Sequence, residues 1–377
     1  MDRRTLRPRD GWQAKVEALG LIWHTTPDGR PYWDESACYA FSRAEIGEIE
    51  SATAELYGLF LKAGQAILDR GLLGRFGIPD YAHKAIGDMW NEEPPALNYG
   101  RFDFGYDGKG PPKLFEFNCD TPTSLLEAAV VQWDWKEAMF PGLDQYNSLH
   151  DKLAAKWKDI APSFEDCVHF AHIADDAGED TVTVSYMRDL AEQAGLKTVP
   201  ILMHDIGWDG QGFADLEGRP MSGIYHLYPW EWLVNEEFGR NAVASMEETA
   251  WIEPIWKMMW SNKAVLPLLW EMFPDHPNLL PASHDPLGGD YVRKPLLARE
   301  GANIEIRRGG ATEASTDGDY GTEGFVYQAL YPLPGEGENR PVIGAWIVDG
   351  EPAGMGIRED GPITGNTARF IPHIIQG

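Results

Sequence analysis

Four polar side chains recur at every second position in two short aromatic stretches of this 377-residue chain. In RFDFGY, Arg101 and Asp103 alternate with Phe102, Phe104 and Tyr106; in KLFEFN, Glu116 and Asn118 alternate with Phe115 and Phe117. Successive side chains of a strand point to opposite faces, so each stretch is expected to carry one aromatic and one polar face. The linking GYDGKGPP is rich in turn formers and predicts a hairpin. Pairing would gather one guanidinium, two carboxylates and an amide oxygen on one surface. Mg²⁺ takes oxygen ligands of this kind and bridges them to phosphates, which makes Asp103, Glu116 and Asn118 candidate metal ligands. A solvated polar face above an aromatic core has the same pattern, and spacing alone leaves both readings open.

The segment after the second strand adds an anion-binding feature. Thr121-Pro122 fits a helix N-cap with proline at the first helical position, and Ser124–Val131 begins the helix. Free N–H groups at such an end suit a carboxylate or phosphate, with hydroxyls of Thr121, Thr123 and Ser124 beside them. An ordinary capped helix is the alternative. Further on, Tyr291–Pro295 reads as a strand ending in Lys294, followed by a loop containing Gly301 and a later strand carrying Gln328. A lysine point charge, a flexible loop over phosphates and a hydrogen-bonding residue on an apolar strand would suit an adenine nucleotide. The sequence has no GxxxxGK[ST] loop and no strand-linked GxGxxG, so the common nucleotide folds lack their signatures. Arg358, at the end of an apolar strand, reads equally as a surface charge or a phosphate clamp.

Several elements must position these residues. A short helix is expected around Trp12–Leu19, and Glu45–Leu73 is strongly amphipathic, with Ile46, Ile49, Leu56, Leu59, Phe60 and Ile67 at helical spacing. The helix from Thr123 is stopped by Pro141-Gly142, and another is expected over Asp144–Asp159. Past Pro162 the pattern changes to a strand at Val168–Ile173, an acidic loop, a helix at Thr181–Ala194 and a strand at Lys197–Leu202. Such a β-α-β unit has parallel strands, and its C-terminal edge would carry Asp175, Asp176, Glu179 and Asp180, where α/β ligand sites gather. Tyr225–Phe238 reads as a Trp-rich helical stretch and 309–324 as a Gly-rich span. Asp349-Gly350 predicts a C-terminal hairpin between two apolar strands.

The charge of -27, from 32 Lys+Arg against 59 Asp+Glu, argues against a nucleic-acid partner or an anionic membrane surface and is compatible with a cationic substrate. Cys38, Cys119 and Cys167 form neither a metal spacing nor an even disulfide set, as in a reducing cytoplasm. The N-terminus lacks a signal-like apolar core and no run reaches membrane-spanning length, so a cytoplasmic protein is expected.

Taken together, RFDFGYDG…KLFEFNCDTPTSLLE, WIEPIWKMMWSNKAVLPLLWE, VRKPLLAREGANI and GIRED…RFIPH resemble the synthetase domain of the glutathionylspermidine synthase family. The resemblance runs from the hairpin to the C-terminus and implies an α+β, mixed α/β chain of ATP-grasp type with a small inserted β-α-β lobe. One unit over 1–377 is expected: 1–160 with N-terminal helices and the hairpin, 161–245 a substrate lobe, 246–335 a nucleotide lobe and lid, and 336–377 a hairpin returning to the central sheet. Bifunctional members carry an amidase domain for which this length leaves no room, which points to the stand-alone branch. The resemblance implies ATP and Mg²⁺ as cofactors, with Asp103, Glu116 and Asn118 on the metal. It puts Arg101 and Arg358 at the reacting phosphate, and Lys263, Lys294, Gln328, Gly301 and Arg358 on the nucleotide. Thr121, Thr123, Ser124, Glu179 and Asp180 would face a peptide-like carboxylate and an amine. The implied reaction is ADP-forming ligation of that carboxylate to that amine through an acyl phosphate. An ATPase or phosphotransferase on the same scaffold, or an idle nucleotide- or partner-binding module, are the rival readings.

Overall fold

The computed structural model describes residues 1–175 and 177–376. Its centre is the aromatic hairpin. Gly100–Gly105 and Lys113–Asn118 pair antiparallel, with Arg101 opposite Asn118, Phe102 opposite Phe117 and Asp103 opposite Glu116. Phe102 and Phe117 stack with ring centroids 3.8 Å apart, and Phe60 meets both edge-on at 5.5 and 5.0 Å. Phe60 comes from the long helix Arg43–Asp69, whose apolar stripe is buried and whose first turn is closed by a Ser42–Glu45 capping box. The aromatic face of the hairpin is therefore spent on the core, and the polar face is left for other work.

Arg340–Val348 adds to the other side of Gly100–Gly105, and Glu351–Asp360 and Arg369–Phe370 follow, giving a five-stranded antiparallel sheet. Asp349 and Gly350 both adopt positive φ, 51° and 76°, in the two-residue turn that brings this C-terminal pair together. A second five-stranded antiparallel sheet, in the order Ala282–Ser283, Phe325–Ala329, Tyr291–Pro295, Glu305–Arg308 and Ala311–Ser315, stands over the polar face of the first. A four-stranded parallel sheet contains the β-α-β unit: Cys167–His172, the helix Glu179–Gln193 and Lys197–Leu202. No helix of the described residues is long and apolar enough to cross a membrane.

Three local expectations are corrected. The register slips after Asp103, so that Phe104 faces Leu114 rather than Phe115. The bulge turns the half-buried Phe115 away from Phe117 and onto the wall of the cleft, while Leu114 takes its place in the core. Thr121-Pro122 does not cap a helix. The chain turns helical only at Leu125, through a π-helical turn at Glu127–Val131, after Ser124 in a left-handed conformation with φ 64°, because Asp120 and Thr121 are engaged elsewhere, by the Trp230 N–H and by Arg299. Tyr225–Leu227 is not helical but belongs to the strand Gly223–Leu227, buried between two parallel neighbours, and the helix after it is only Trp230–Leu233. The Gly-rich span contains the edge strand Ala311–Ser315.

Phe117→Ala is expected to destabilise the protein by about 3–5 kcal/mol, because it removes a buried ring from the stack without a neighbour free to fill the space. Chemical denaturation measures this directly, and a loss well under about 1 kcal/mol would contradict the stack's central role.

Candidate active site

Between the two five-stranded sheets lies a cleft whose floor is the polar face of the hairpin. Arg101, Asp103, Glu116, Asn118, Thr121, Thr123, Ser124, Glu179, Lys263, Lys294, Gly301, Gln328 and Arg358 all line it. Asp180 is set back from the wall on the first turn of the helix Glu179–Gln193. Asp176 lies outside the described residues.

Strand alternation puts Asp103, Glu116 and Asn118 side by side. The amide nitrogen of Asn118 is 3.3 Å from Asp103 Oδ2 and 3.2 Å from Glu116 Oε1, so all three side chains converge on one point. Turning that amide over would present its oxygen in place of its nitrogen. Among the described residues no three His, Cys, Asp or Glu side chains form a metal cluster, so an oxygen-ligand set here depends on Asn118.

Cations surround this group. Arg101 donates to both Asp103 oxygens, at 2.7 and 3.1 Å, and its third donor reaches the Thr123 carbonyl at 2.6 Å. Arg358 reaches Asp103 Oδ2 at 2.8 Å. Lys263 lies 3.0 Å from Glu116 and donates to the Ala298 carbonyl at 2.7 Å. Lys294 donates to Gln328 Oε1 at 2.7 Å and to the Phe115 carbonyl at 3.1 Å, while Gln328 donates to the Leu114 carbonyl at 2.9 Å. Arg101, Lys263, Lys294 and Gln328 are each under 8% exposed. Their positions are therefore set by packing.

The electrostatics are set by burial and neighbours. Burial raises the Glu116 carboxyl, but Lys263 and Lys294 outweigh it and bring it to about 2. Burial pulls the Lys294 ammonium down to about 8, with Lys263 pushing the same way and Glu116 opposing. Burial and the neighbouring Arg101 lower Arg358. Two carboxylates face four cations here, so the floor has a surplus of positive charge that an anionic ligand would neutralise.

The cleft also has an acidic part. Burial lifts Glu179 to about 8, helped by Glu127 and Asp180; burial and then Asp175 lift Asp180 to about 6. Asp175 itself accepts from the N–H groups of Asp180 and Thr181 at 3.1 and 3.2 Å and holds the start of the helix. A cation entering this part would let the carboxyls ionise.

Sequence reasoning misses three cleft residues. Tyr32 comes from the N-terminal segment, and no local pattern marks it. Arg299 bridges Thr121 and Glu231, at 2.6 Å to each, and ties its own loop to the short helix Trp230–Leu233. Its one signal is its place between Lys294 and Gly301 on the same loop. Glu300 also lines the wall.

Comparison with known proteins adds the context. The family described as glutathionylspermidine synthase preATP-grasp matches residues 3–376. A provisionally designated acid–amine ligase of Haemophilus influenzae is 40% identical over 375 residues, 94% of each chain. The trypanothione synthetase of Crithidia fasciculata is 29% identical over 340 residues, covering 81% of this chain and 51% of that one; the present chain thus spans about half that enzyme's length. Among solved structures, a glutathione synthetase-like effector from Globodera pallida superposes with a TM-score of 0.60 at 11% identity, covering 97% of this chain and 96% of the other. At that identity the likeness concerns the fold alone.

Proposed function

This chain belongs to the glutathionylspermidine synthase family, and from that premise we propose that it is an ATP- and Mg²⁺-dependent ligase joining a peptide-like carboxylate to an amine. Its fold is of ATP-grasp type and its named relatives are ligases. The single observation that carries the reading is one cleft lined both by an oxygen-ligand cluster amid fixed cations and by raised carboxyls. ATP fits the first group and a cationic amine the second.

In this reading a substrate carboxylate oxygen attacks the terminal phosphorus of ATP and ADP departs, leaving an acyl phosphate. The amine nitrogen then attacks the carbonyl carbon and the C–O bond to phosphate breaks. Neither step needs a protein nucleophile; both need charge neutralisation and alignment. Arg101, held by Asp103 and the Thr123 carbonyl, and Arg358 face the reacting phosphate. Lys263 and Lys294 contact the nucleotide phosphates, the Gly301 loop covers them, and Gln328 borders the base. Asp103, Glu116 and Asn118 would hold Mg²⁺, which when bound neutralises phosphate charge. Thr121, Thr123 and Ser124 face the carboxylate substrate, and Glu179 with Asp180 the amine.

A panel of carboxylates and amines scored for ADP release tests the reading. Release that requires both substrates supports ligation. Release with no amine, or with water alone, supports the ATPase alternative.

Glu179→Gln is expected to raise the Michaelis constant for the amine by about 10- to 100-fold while leaving that for ATP alone, as loss of a buried charged contact would. In the folded protein Glu179 titrates near 8, above its ordinary 4.5. Its stabilising contribution is therefore full below pH 4.5 and lost as pH rises through 8. The variant should flatten that part of the stability profile. Equal amine kinetics in variant and wild type would return Glu179 to a structural role.

A further inference from the structure

Beside the acidic carboxyls of the cleft lies a polar chain of which the proposed ligation uses only Ser124. Tyr32 lines the wall, and its hydroxyl donates to Glu127 Oε1 at 2.7 Å. On its other side the same hydroxyl is 3.3 Å from Ser124 Oγ, which also faces the cleft. Trp23 Nε1 donates to Glu127 Oε1 as well, at 3.2 Å. Glu127 itself is 0% exposed, and its second oxygen, Oε2, is buried with no hydrogen-bond partner.

A buried carboxylate oxygen without a donor is costly, and a structural glutamate would be expected to have both oxygens satisfied. Both partners of Oε1 are donors, as befits an ionised carboxylate, and the Tyr32 hydroxyl already points its proton at Oε1. The Ser124–Tyr32–Glu127 chain thus runs from the cleft wall to a buried acceptor. Besides the neutral Tyr32 phenol, Arg101 and Glu179 are the ionisable side chains that act on Glu127. Burial raises the Glu127 carboxyl above its ordinary range, against the pull of Tyr32, Trp23 and Arg101. A base with such a raised affinity suits proton transfer near neutral pH.

We propose that Ser124, Tyr32 and Glu127 form a proton relay that deprotonates the amine substrate before it attacks. This rests on the ligase reading. An aliphatic amine arrives as an ammonium ion and has no lone pair until one proton leaves. That proton passes to Ser124 Oγ as the Ser124 hydroxyl proton moves to Tyr32 and the Tyr32 proton to Glu127. Both hydroxyls are restored and Glu127 becomes neutral. The freed lone pair forms the C–N bond, the C–O bond to phosphate breaks, and the departing phosphate takes the second amine proton. Glu127 later returns its proton to solvent.

The test compares two nucleophiles, spermidine and hydroxylamine, on whichever carboxylate of the panel drives ADP release, with glutathione tried first. Spermidine is protonated at neutral pH and hydroxylamine is largely not. In Glu127→Gln and Tyr32→Phe, both close to isosteric, the ratio of spermidine to hydroxylamine turnover is expected to fall about 100-fold. Glu127→Asp should restore part of it. Thermal melting shows whether each variant is folded, and Tyr32→Phe serves if Glu127→Gln is not. An unchanged ratio in a folded variant overturns the relay and leaves the ligase reading intact, since loss of a merely structural contact slows both nucleophiles alike. A wild-type enzyme whose ADP release depends on neither amine contradicts the ligase reading and the relay with it.

Discussion

Glu116→Gln is expected to lower Mg²⁺-dependent turnover by on the order of 100-fold or more, the scale on which loss of one preorganised electrostatic partner acts. Glu116 stands at the meeting point of the whole floor. Its Oε1 faces Asn118, its Oε2 pairs with Lys263, and Asp103 is its partner across the hairpin. Glutamine keeps the shape and an oxygen but removes the charge that a hard cation needs. Folding should change far less, because Lys263 keeps its bond to the Ala298 carbonyl. One stability effect is expected at acid pH. The folded-state carboxyl titrates near 2, below its ordinary 4.5, so its contribution is present above 4.5 and lost as pH falls through 2. The variant should lack that acid-side loss. Titrating Mg²⁺ against turnover measures the main effect. An unaltered Mg²⁺ requirement in a folded variant would remove Glu116 from the metal site.

Lys294→Ala should weaken ATP binding by about 10- to 100-fold, as expected for a buried charged hydrogen bond. Lys294 is held in place before any ligand arrives, by Gln328 Oε1 and the Phe115 carbonyl. Burial already brings its ammonium down to about 8, so an incoming phosphate stabilises a charge that the empty protein holds at a cost. Above pH 8 the free enzyme loses this proton and must regain it to bind ATP, so wild-type affinity should fall as pH rises through that value. The Ala variant should bind weakly without that step, and Lys294→Met separates the charge from the packing. Unchanged ATP affinity in a folded variant would rule out a phosphate contact.

The parts of this protein that could be read from its sequence are those set by local period. Alternation at 101–106 and 114–118 reports two faces of a hairpin, the stripe Ile46–Ile67 reports a core helix, and Asp349-Gly350 reports a turn. Features that escape a sequence reading are decided by distant partners. Phe115 leaves the aromatic face because its carbonyl is drawn to Lys294 and its neighbour Leu114 to Gln328, some two hundred residues away in sequence. The Thr121-Pro122 cap is sound chemistry locally, yet Arg299 and the Trp230 N–H compete for the same stretch. Tyr225–Leu227 could satisfy either period, being short and aromatic, and its two parallel neighbours decide for strand. Tyr32 and Glu127 lie 95 residues apart and meet only in three dimensions. Arg101, Asp103, Glu116 and Asn118, by contrast, sit at strand positions whose facing direction the alternation already implied.

Transfer of a phosphoryl group to a carboxylate is the central step of the proposed reaction. Its most direct test is to supply the productive carboxylate labelled with oxygen-18 and to weigh the phosphate released with ADP in the presence of amine. An acyl phosphate requires that one labelled oxygen leave with the phosphate as the C–O bond breaks, so phosphate carrying one oxygen-18 is expected for each product formed. Phosphate without label, beside a carboxylate that has kept all of its own, would mean that water or a hydroxyl took the phosphoryl group and would contradict ligation through an acyl phosphate.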